Sequence, residues 1–218
     1  MALVPKKPFV TRFRFGLRTL FALITALCLC LGFVVHRAES QRRAVQAIEA
    51  MGGSVTYRDD WSVRGNVILR LQRMRSHERA DRYTRHYFHA VTVVDLSQTS
   101  CTDEALMLLA SLPSVELLRL DYTNITDEGI RLLRSLSKLR SLSLENTQIT
   151  DAGLAYLTDA RKLDTILLSH TLVTDSGMEC IKGLPCLERV FIRRTKVTQA
   201  GADALTSANP ALVKQIIR

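Results

Sequence analysis

The first residues of this chain that could do chemistry are histidines. His86 and His89 lie three positions apart in "HYFH", with His77 and Asp81 upstream, and imidazole and carboxylate groups are common zinc ligands. In a strand, however, these two histidines would project from opposite faces, because side chains alternate along a strand. We therefore expect no metal site there.

The five cysteines do not form the spacing of a disulfide framework. Cys28 and Cys30 lie in an apolar run, and Cys101 occupies an inward position of the repeat described below. Cys180 and Cys186 are six residues apart and could pair in an oxidising compartment. The interpretation we favour is two small core thiols.

A Thr-Asp step recurs along the second half of the chain, which raises the question of catalysis or calcium binding. Regular recurrence before helices favours capping instead, because a threonine N-cap and a first-turn carboxylate stabilise a helix start. The sequence contains no phosphate-binding glycine loop, no H-E-x-x-H, no C-x-x-C and no G-x-S-x-G. We expect no enzyme, no cofactor, no metal and no small-molecule substrate.

The Thr-Asp step belongs to a 24-residue period. The segments 91–114, 115–138, 139–162, 163–186 and 187–210 align without insertion. Positions are counted from the first residue of each segment. Apolar residues at positions 4 and 6 alternate with polar ones, as in a half-buried strand, and position 11 turns inward again after the strand. Positions 16 and 19 form the apolar stripe of a short helix. Positions 9 and 12 are threonine throughout.

Position 15 is glycine in four of the five segments, early in the predicted helix, where glycine lowers helix propensity. We infer that adjacent coils approach closely there and that a side chain would push them apart. One strand and one helix cannot bury their own apolar faces, so the coils must stack.

The pattern L-x-x-L-x-L-x-x-T-x-I-T-D-x-G resembles the leucine-rich repeat over residues 91–218. Its T-x-I-T-D-x-G-L form looks like the 24-residue repeats of many bacterial proteins and is similar to the cysteine-containing F-box class. Threonine at position 9 replaces the usual Asn or Cys, whose side chain bonds the turn backbone of adjacent coils. The resemblance implies an α/β solenoid with a short curved parallel sheet and helices on its convex side. Of activity it implies little beyond binding.

The N-terminal third contains an uncharged run, "TLFALITALCLCLGFVV", over residues 19–35. Its length is at the short end of what crosses a bilayer as a helix. Five basic residues precede this run, and the residues that follow it closely carry a smaller net positive charge. Because the more basic side of a membrane helix stays in the cytoplasm, this predicts a cytoplasmic tail over 1–18, a transmembrane helix over 19–35 and export of the repeats. The alternatives are a cleaved signal peptide, although the apolar run is long for one, and a buried helix of a soluble protein.

Residues 36–90 are expected to form a juxtamembrane helix and an N-terminal cap, because a solenoid exposes apolar surface at its ends. "ESQRRAVQAIEAMGG" predicts an amphipathic helix with Ala44, Ile48 and Met51 on one side, ended by the two glycines. "SVTY" predicts a short strand, "RDDWS" a turn, and "NVILRLQRM" a helix or the start of a strand. Residues 88–90 complete the cap, and "ALVKQIIR" predicts one further strand at the other end.

The net charge of +9 arises entirely from the first 90 residues, since residues 91–218 carry fourteen basic and fifteen acidic side chains. Basicity beside an apolar helix fits attraction to anionic lipid headgroups better than binding of nucleic acid. We expect no nucleic-acid partner.

Positions 3, 5, 7 and 8 are expected to face outward on the concave side of the sheet. Positions 5, 7 and 8 change from acidic and amide-bearing in the early coils to apolar and basic in the last. Several are of types enriched at protein-binding hot spots, although a merely solvated sheet face is the alternative. The candidate partner-binding residues are Arg119, Asp121, Tyr122, Glu145, Asn146, Leu167, His170, Phe191, Arg193 and Arg194.

The sequence thus predicts a non-catalytic, single-pass membrane protein that presents a repeat surface to a protein partner outside the cytoplasm. No F-box helix precedes the repeats, so the resemblance suggests a bacterial cell envelope. Two other functions are open: a structural, self-assembling envelope protein, and a secreted repeat protein if the N-terminal segment is cleaved.

Overall fold

The computed structural model describes residues 17–57, 89–209, 212 and 216–217. Contacts divide the chain into two compact units, residues 1–36 and 37–218. In chain order, the elements are α1 (Leu17–Ala50), β1 (Ser54–Tyr57), β2 (Val91–Asp95), α2 (Asp103–Leu106), β3 (Leu117–Arg119), α3 (Asp127–Leu132), β4 (Ser141–Ser143), α4 (Asp151–Ala155), β5 (Thr165–Leu167), α5 (Asp175–Ile181), β6 (Arg189–Phe191), α6 (Gln199–Ala208) and β7 (Ile216–Ile217). Short 3-10 helices, Met107–Ser111 and Leu133–Ser135, extend α2 and α3.

One sheet contains the seven strands of the described residues in chain order. β1 pairs with β2 in the antiparallel sense, and every later neighbour is parallel. Leu118 pairs with Val94 on one side and with Leu142 on the other, and this 24-residue step continues to β6. The predicted period is therefore confirmed as the register of the sheet. The predicted C-terminal strand is confirmed at β7, where Ile216 pairs with Val190.

The core is a stack of equivalent side chains, one set from each coil. Positions 4 and 6 are buried in every coil, as Leu118 and Leu120 show with no exposed surface. Position 11 is fully buried in the first four coils and partly buried at Val197, in the last coil. Burial of such aliphatic side chains contributes roughly 1.5–3 kcal/mol each, so stacking, and not the short helices, stabilises the fold.

Side chains between residues 44 and 57 belong to the same core as the repeats. Ala44 and Ile48 of α1 are buried in the same core, and Met51 packs against it, as the amphipathic pattern predicts. Gly52 has a φ of +86°, a conformation that ends the helix and that glycine adopts readily. The predicted strand at "SVTY" is confirmed as β1.

An aspartate at the start of each of helices α2 to α5 links its coil to the next. The carboxylate of Asp127 accepts hydrogen bonds from the backbone N–H of Thr150 at 2.9 Å and from its hydroxyl at 2.6 Å. We call the four such pairs the carboxylate ladder. Its members are Asp103–Thr126, Asp127–Thr150, Asp151–Thr174 and Asp175–Thr198.

The predicted N-cap role of position 12 is confirmed in three coils. The hydroxyl of Thr150 accepts from the N–H of Ala152 at 3.3 Å, and that of Thr174 accepts the equivalent bond from Ser176. The hydroxyl of Thr198 accepts from the N–H of Gly201, one residue further on. The side chains of Thr102 and Thr126, both within the described part of the chain, make no capping bond. The carboxylate ladder explains why position 13 is aspartate in the first four coils. This ladder was not predicted from the sequence.

Glycine at position 15 leaves room for the carboxylate ladder, which confirms the predicted close approach of coils. A Cβ added at Gly177 would lie 2.5 Å from Oδ1 of Asp151 and 2.8 Å from Cγ1 of Val173. The added Cβ would also meet Oδ1 of the preceding coil's ladder aspartate at Gly129, Gly153 and Gly201. A side chain there would displace the link between two coils.

The threonine at position 9 acts within its own coil, which corrects the expectation drawn from the leucine-rich repeat resemblance. The hydroxyl of Thr123 donates to the carbonyl of Leu120, three residues earlier, at 2.6 Å, and the bond recurs in every coil at up to 2.8 Å. Because a hydroxyl is a short donor, it satisfies the strand-exit carbonyl beside it instead of reaching the neighbouring turn.

The cysteine expectation is partly wrong. Cys180 packs against the core half-buried, but Cys186 is exposed, and both thiols are free in the described part of the chain. Cys101 is fully buried, as expected, and burial together with the nearby Asp103 carboxylate raises the pKa of its thiol from 9.0 to about 11. The interpretations of "RDDWS", "NVILRLQRM", Phe88, His77, Asp81 and His86 lie outside the described residues, as does that of the tail over 1–16.

Candidate interaction surface

The parallel strands expose one face, which we call the open sheet face and define as positions 5, 7 and 8 of the five coils. Positions 5 and 7 share this face, because Oδ1 of Asp121 at position 7 accepts a hydrogen bond from the hydroxyl of Ser143 at position 5 of the next coil, at 2.5 Å. Positions 4 and 6 project the other way into the core. All ten predicted partner-binding residues belong to the open sheet face.

Position 8 has a left-handed backbone conformation in every coil, with φ between 55° and 61° at Gln98, Tyr122, Asn146, His170 and Arg194. This conformation interrupts the strand alternation, so the side chains at positions 7 and 8 both point away from the core. The N–H of Tyr122 donates to the carbonyl of Glu145 in the next coil at 2.9 Å, which holds the turn in place.

A left-handed backbone is costly for residues with a side chain, by roughly 1–2 kcal/mol. It was missed at the level of sequence because only Asn146 and His170, of the five residues, are of types enriched in this conformation. The signal that could have revealed it is a non-β-branched residue at position 8 of every coil.

In the early coils the charges of the open sheet face are engaged within the protein. Arg119 lies 3.6 Å from the carboxylate of Asp95. Asp121 accepts bonds from Ser143 and from the backbone N–H of Glu145, the latter at 2.9 Å. The structure therefore places Arg119 and Asp121 among the groups that hold neighbouring strands together.

The middle of the open sheet face is less constrained. Tyr122 has 57% of its surface exposed, and Glu145 and Asn146 are less exposed. Tyr122 thus has its polar hydroxyl and its apolar ring both available to a partner.

The late coils differ from the early ones. Leu167 and Phe191 are register partners on β5 and β6, and both are partly exposed. His170, Arg193 and Arg194 are exposed, and their side chains have no hydrogen bond or ion pair to any part of the described chain. The structure brings these five residues together as one apolar and cationic area, which we call the late-coil patch.

A second concavity lies where the chain enters the strands, and it was not predicted from the sequence. It has a volume of about 550 Å³ and contains both signs of charge, with Arg140 3.3 Å from Asp164. Its lining residues are Glu116, Lys138, Arg140, Lys162, Asp164, Pro185, Cys186 and Glu188. Within the described residues, no group of three or more His, Cys, Asp or Glu side chains could hold a metal ion.

Comparisons with known proteins agree with this architecture. Residues 135–157 match the model of a family described as Leucine Rich repeat. Together with the register of the sheet, this match identifies an α/β leucine-rich repeat fold with a parallel sheet. A search of curated proteins gave no match.

Several solved structures are similar to the chain. An internalin (inlF) from Listeria monocytogenes has 23% identity over 57% of this chain and 33% of its own, with a TM-score of 0.46. Internalin C2 from the same organism has 28% identity over 45% and 42%, with a TM-score of 0.39. The ectodomain of the receptor kinase SOBIR1 from Arabidopsis thaliana has 14% identity over 73% and 82%, with a TM-score of 0.42. The chain thus spans about a third of one internalin and about two fifths of the other.

Proposed function

We propose that the chain is a non-catalytic, membrane-anchored interaction module of a bacterial cell envelope. Its repeats, which we assign to the bacterial 24-residue type, bind a protein partner through the open sheet face outside the cytoplasm. The observation that carries the proposal is the alignment of positions 5, 7 and 8 across five coils in register, with position 8 exposed or partly exposed in every coil and with late-coil side chains that have no partner in the described chain.

The exposure of α1 supports the anchor. Within the described residues, one helix is long and apolar enough to cross a membrane, and its most apolar stretch is not buried in the protein. Ten large apolar side chains between Leu20 and Val35 are each 43–75% exposed, whereas the described repeats and cap expose three. A bilayer would cover this surface, and the exposure argues against a buried helix of a soluble protein.

The exposed Cys186 gives a direct test of topology. A membrane-impermeant maleimide added to intact spheroplasts should label Cys186, because the proposal places it outside the cytoplasm. In a Cys186→Ser background, Ala2→Cys should be labelled only after permeabilisation. Labelling of Cys186 only after permeabilisation would refute export of the repeats. If an epitope tag added at the N-terminus is absent from the recovered protein, the segment has been cleaved, which would favour the secreted alternative.

Partner binding is tested by cross-linking from the open sheet face in native membranes. A photo-reactive amino acid at Tyr122 should give a discrete cross-linked adduct. The matched control is the same group at Met107, which is exposed to a similar extent, 61% against 57%, but follows α2 on the other side of the coil. Equal adducts at both positions, or none at Tyr122, would refute binding through the open sheet face.

A further inference from the structure

We propose that the partner contributes an extended acidic segment, and that the late-coil patch binds it. This inference rests on the proposed function and adds the chemistry of the partner. Within the segment, an acidic side chain and an apolar side chain two residues apart contact the patch together.

The first argument is the contrast between coils that share one geometry. In the early coils, Asp95 and Arg119 neutralise each other, and Asp121 is held by two hydrogen bonds from the next coil. In the last coil, Arg193 and Arg194 are adjacent, exposed and without a partner in the described chain. The unpaired positive charge of the open sheet face thus lies at its late end, whereas the carboxylates of Asp121 and Glu145 lie in earlier coils.

The second argument is that another arginine of the last coil, Arg189, does have a carboxylate partner within the chain. Arg189 starts β6, yet its Nε donates to the hydroxyl of Thr165 at 3.0 Å and its guanidinium lies 3.7 Å from the carboxylate of Asp164. The chain therefore supplies a carboxylate to one arginine of this coil and leaves Arg193 and Arg194 available. A partner that provides carboxylates would complete the same arrangement, since arginine pairs with carboxylates in bidentate geometry.

The third argument concerns spacing and favours a peptide over other polyanions. Phe191 and Arg193 are two residues apart on the same face, about 6–7 Å along the chain. An extended peptide places its residues i and i+2 on one side at the same spacing. Leu167, beside Phe191 in the sheet, widens the apolar contact, which a phosphate backbone or a lipid headgroup would leave unused.

The test is an unbiased selection of displayed twelve-residue random peptides against the full chain in nanodiscs of zwitterionic lipid, after depletion on empty nanodiscs. Recovered peptides should be enriched in Asp or Glu two residues from an apolar residue. Arg193→Glu with Arg194→Glu should weaken their binding by about tenfold or more, because a cationic contact becomes repulsive. The matched control is Arg161→Glu with Lys162→Glu, an exposed basic pair away from the open sheet face, which should leave binding within about twofold.

Several outcomes would overturn the inference. These are recovery of no binders, recovery of peptides without acidic residues, and equal loss of binding in both charge-reversal variants. The chain could also bind anionic vesicles or single-stranded DNA more tightly than the peptides, with the same dependence on Arg193 and Arg194. That result would show that the patch binds polyanions in general and would overturn the peptide assignment. None of these outcomes changes the cross-linking result at Tyr122, so the proposed function is tested separately.

Discussion

Replacing Gly153 by alanine tests whether the carboxylate ladder sets the distance between coils. A Cβ at this position would meet Oδ1 of Asp127 and would lie 3.2 Å from its Cγ and 3.0 Å from Cγ2 of Ile149. The same Oδ1 accepts the bond from the backbone N–H of Thr150. The added methyl group therefore forces the carboxylate away from its two hydrogen bonds.

The expected loss of stability follows from three contributions. Overpacking a buried site costs about 1–3 kcal/mol. Weakening two hydrogen bonds to a half-buried carboxylate costs about 1–2 kcal/mol, while alanine in place of glycine in a helix returns about 1 kcal/mol. We expect Gly153→Ala to lower the free energy of unfolding by about 2 kcal/mol. Gly183→Ala, where a Cβ meets nothing within 4 Å, should change it by less than about 0.5 kcal/mol.

A double-mutant cycle with Asp127→Ala isolates the mechanism. The single Asp127→Ala change should cost about 2 kcal/mol for the lost bonds. In the double variant the methyl group introduced by Gly153→Ala no longer displaces a carboxylate, so the combined loss should fall short of the sum by about 1–2 kcal/mol. Urea unfolding of the full chain in micelles, followed by circular dichroism at 222 nm, measures each value. Additive losses, or equal stability of Gly153→Ala and Gly183→Ala, would refute the reasoning.

Three further predictions concern single sites. The folded protein raises the pKa of the Cys101 thiol to about 11. The stabilisation by the neutral, buried thiol is therefore complete below pH 9 and is lost between pH 9 and 11. Relative to Cys101→Val, the free energy of unfolding of the wild type, measured in urea, should fall by about 2 kcal/mol over that interval. Thr123→Val leaves the Leu120 carbonyl without its buried donor and should cost about 1 kcal/mol. Thr99→Val should cost less, because Thr99 is half-buried and the Leu96 carbonyl keeps the bond from its N–H; urea unfolding measures both. Asn146→Val should cost about 1–2 kcal/mol in the left-handed conformation while Asn146→Gly is tolerated, and equal melting temperatures would contradict the backbone argument.

The repeating core could be predicted from the sequence because it depends on residue type and spacing alone. The 24-residue step between Leu118 and Leu142 determines both the strand register and the stacking of the core, and the structure contains both. The glycine at position 15 was also interpretable, since glycine inside a helix calls for a steric reason.

The links between coils were harder to infer. Asp127 next to Thr126 looks like a local helix start, whereas its hydrogen-bond partner lies 23 residues further on. The engagement of Arg119 and Asp121 likewise depends on side-chain conformations in neighbouring coils. Sequence spacing placed these residues on one face. It could not show which side chains bond to a neighbouring coil and which remain free to contact a partner, because that depends on the distances between coils.

The carboxylate ladder makes the length of the solenoid adjustable in whole units. Each ladder aspartate binds the threonine of the following coil, so a duplicated 24-residue segment would bring its own donor and acceptor and keep the ladder bonds of the older coils. An insertion of another length would instead break both the ladder and the strand register at one border. Gain or loss of complete coils is therefore the route by which such a chain can lengthen or shorten its recognition surface without redesigning its core.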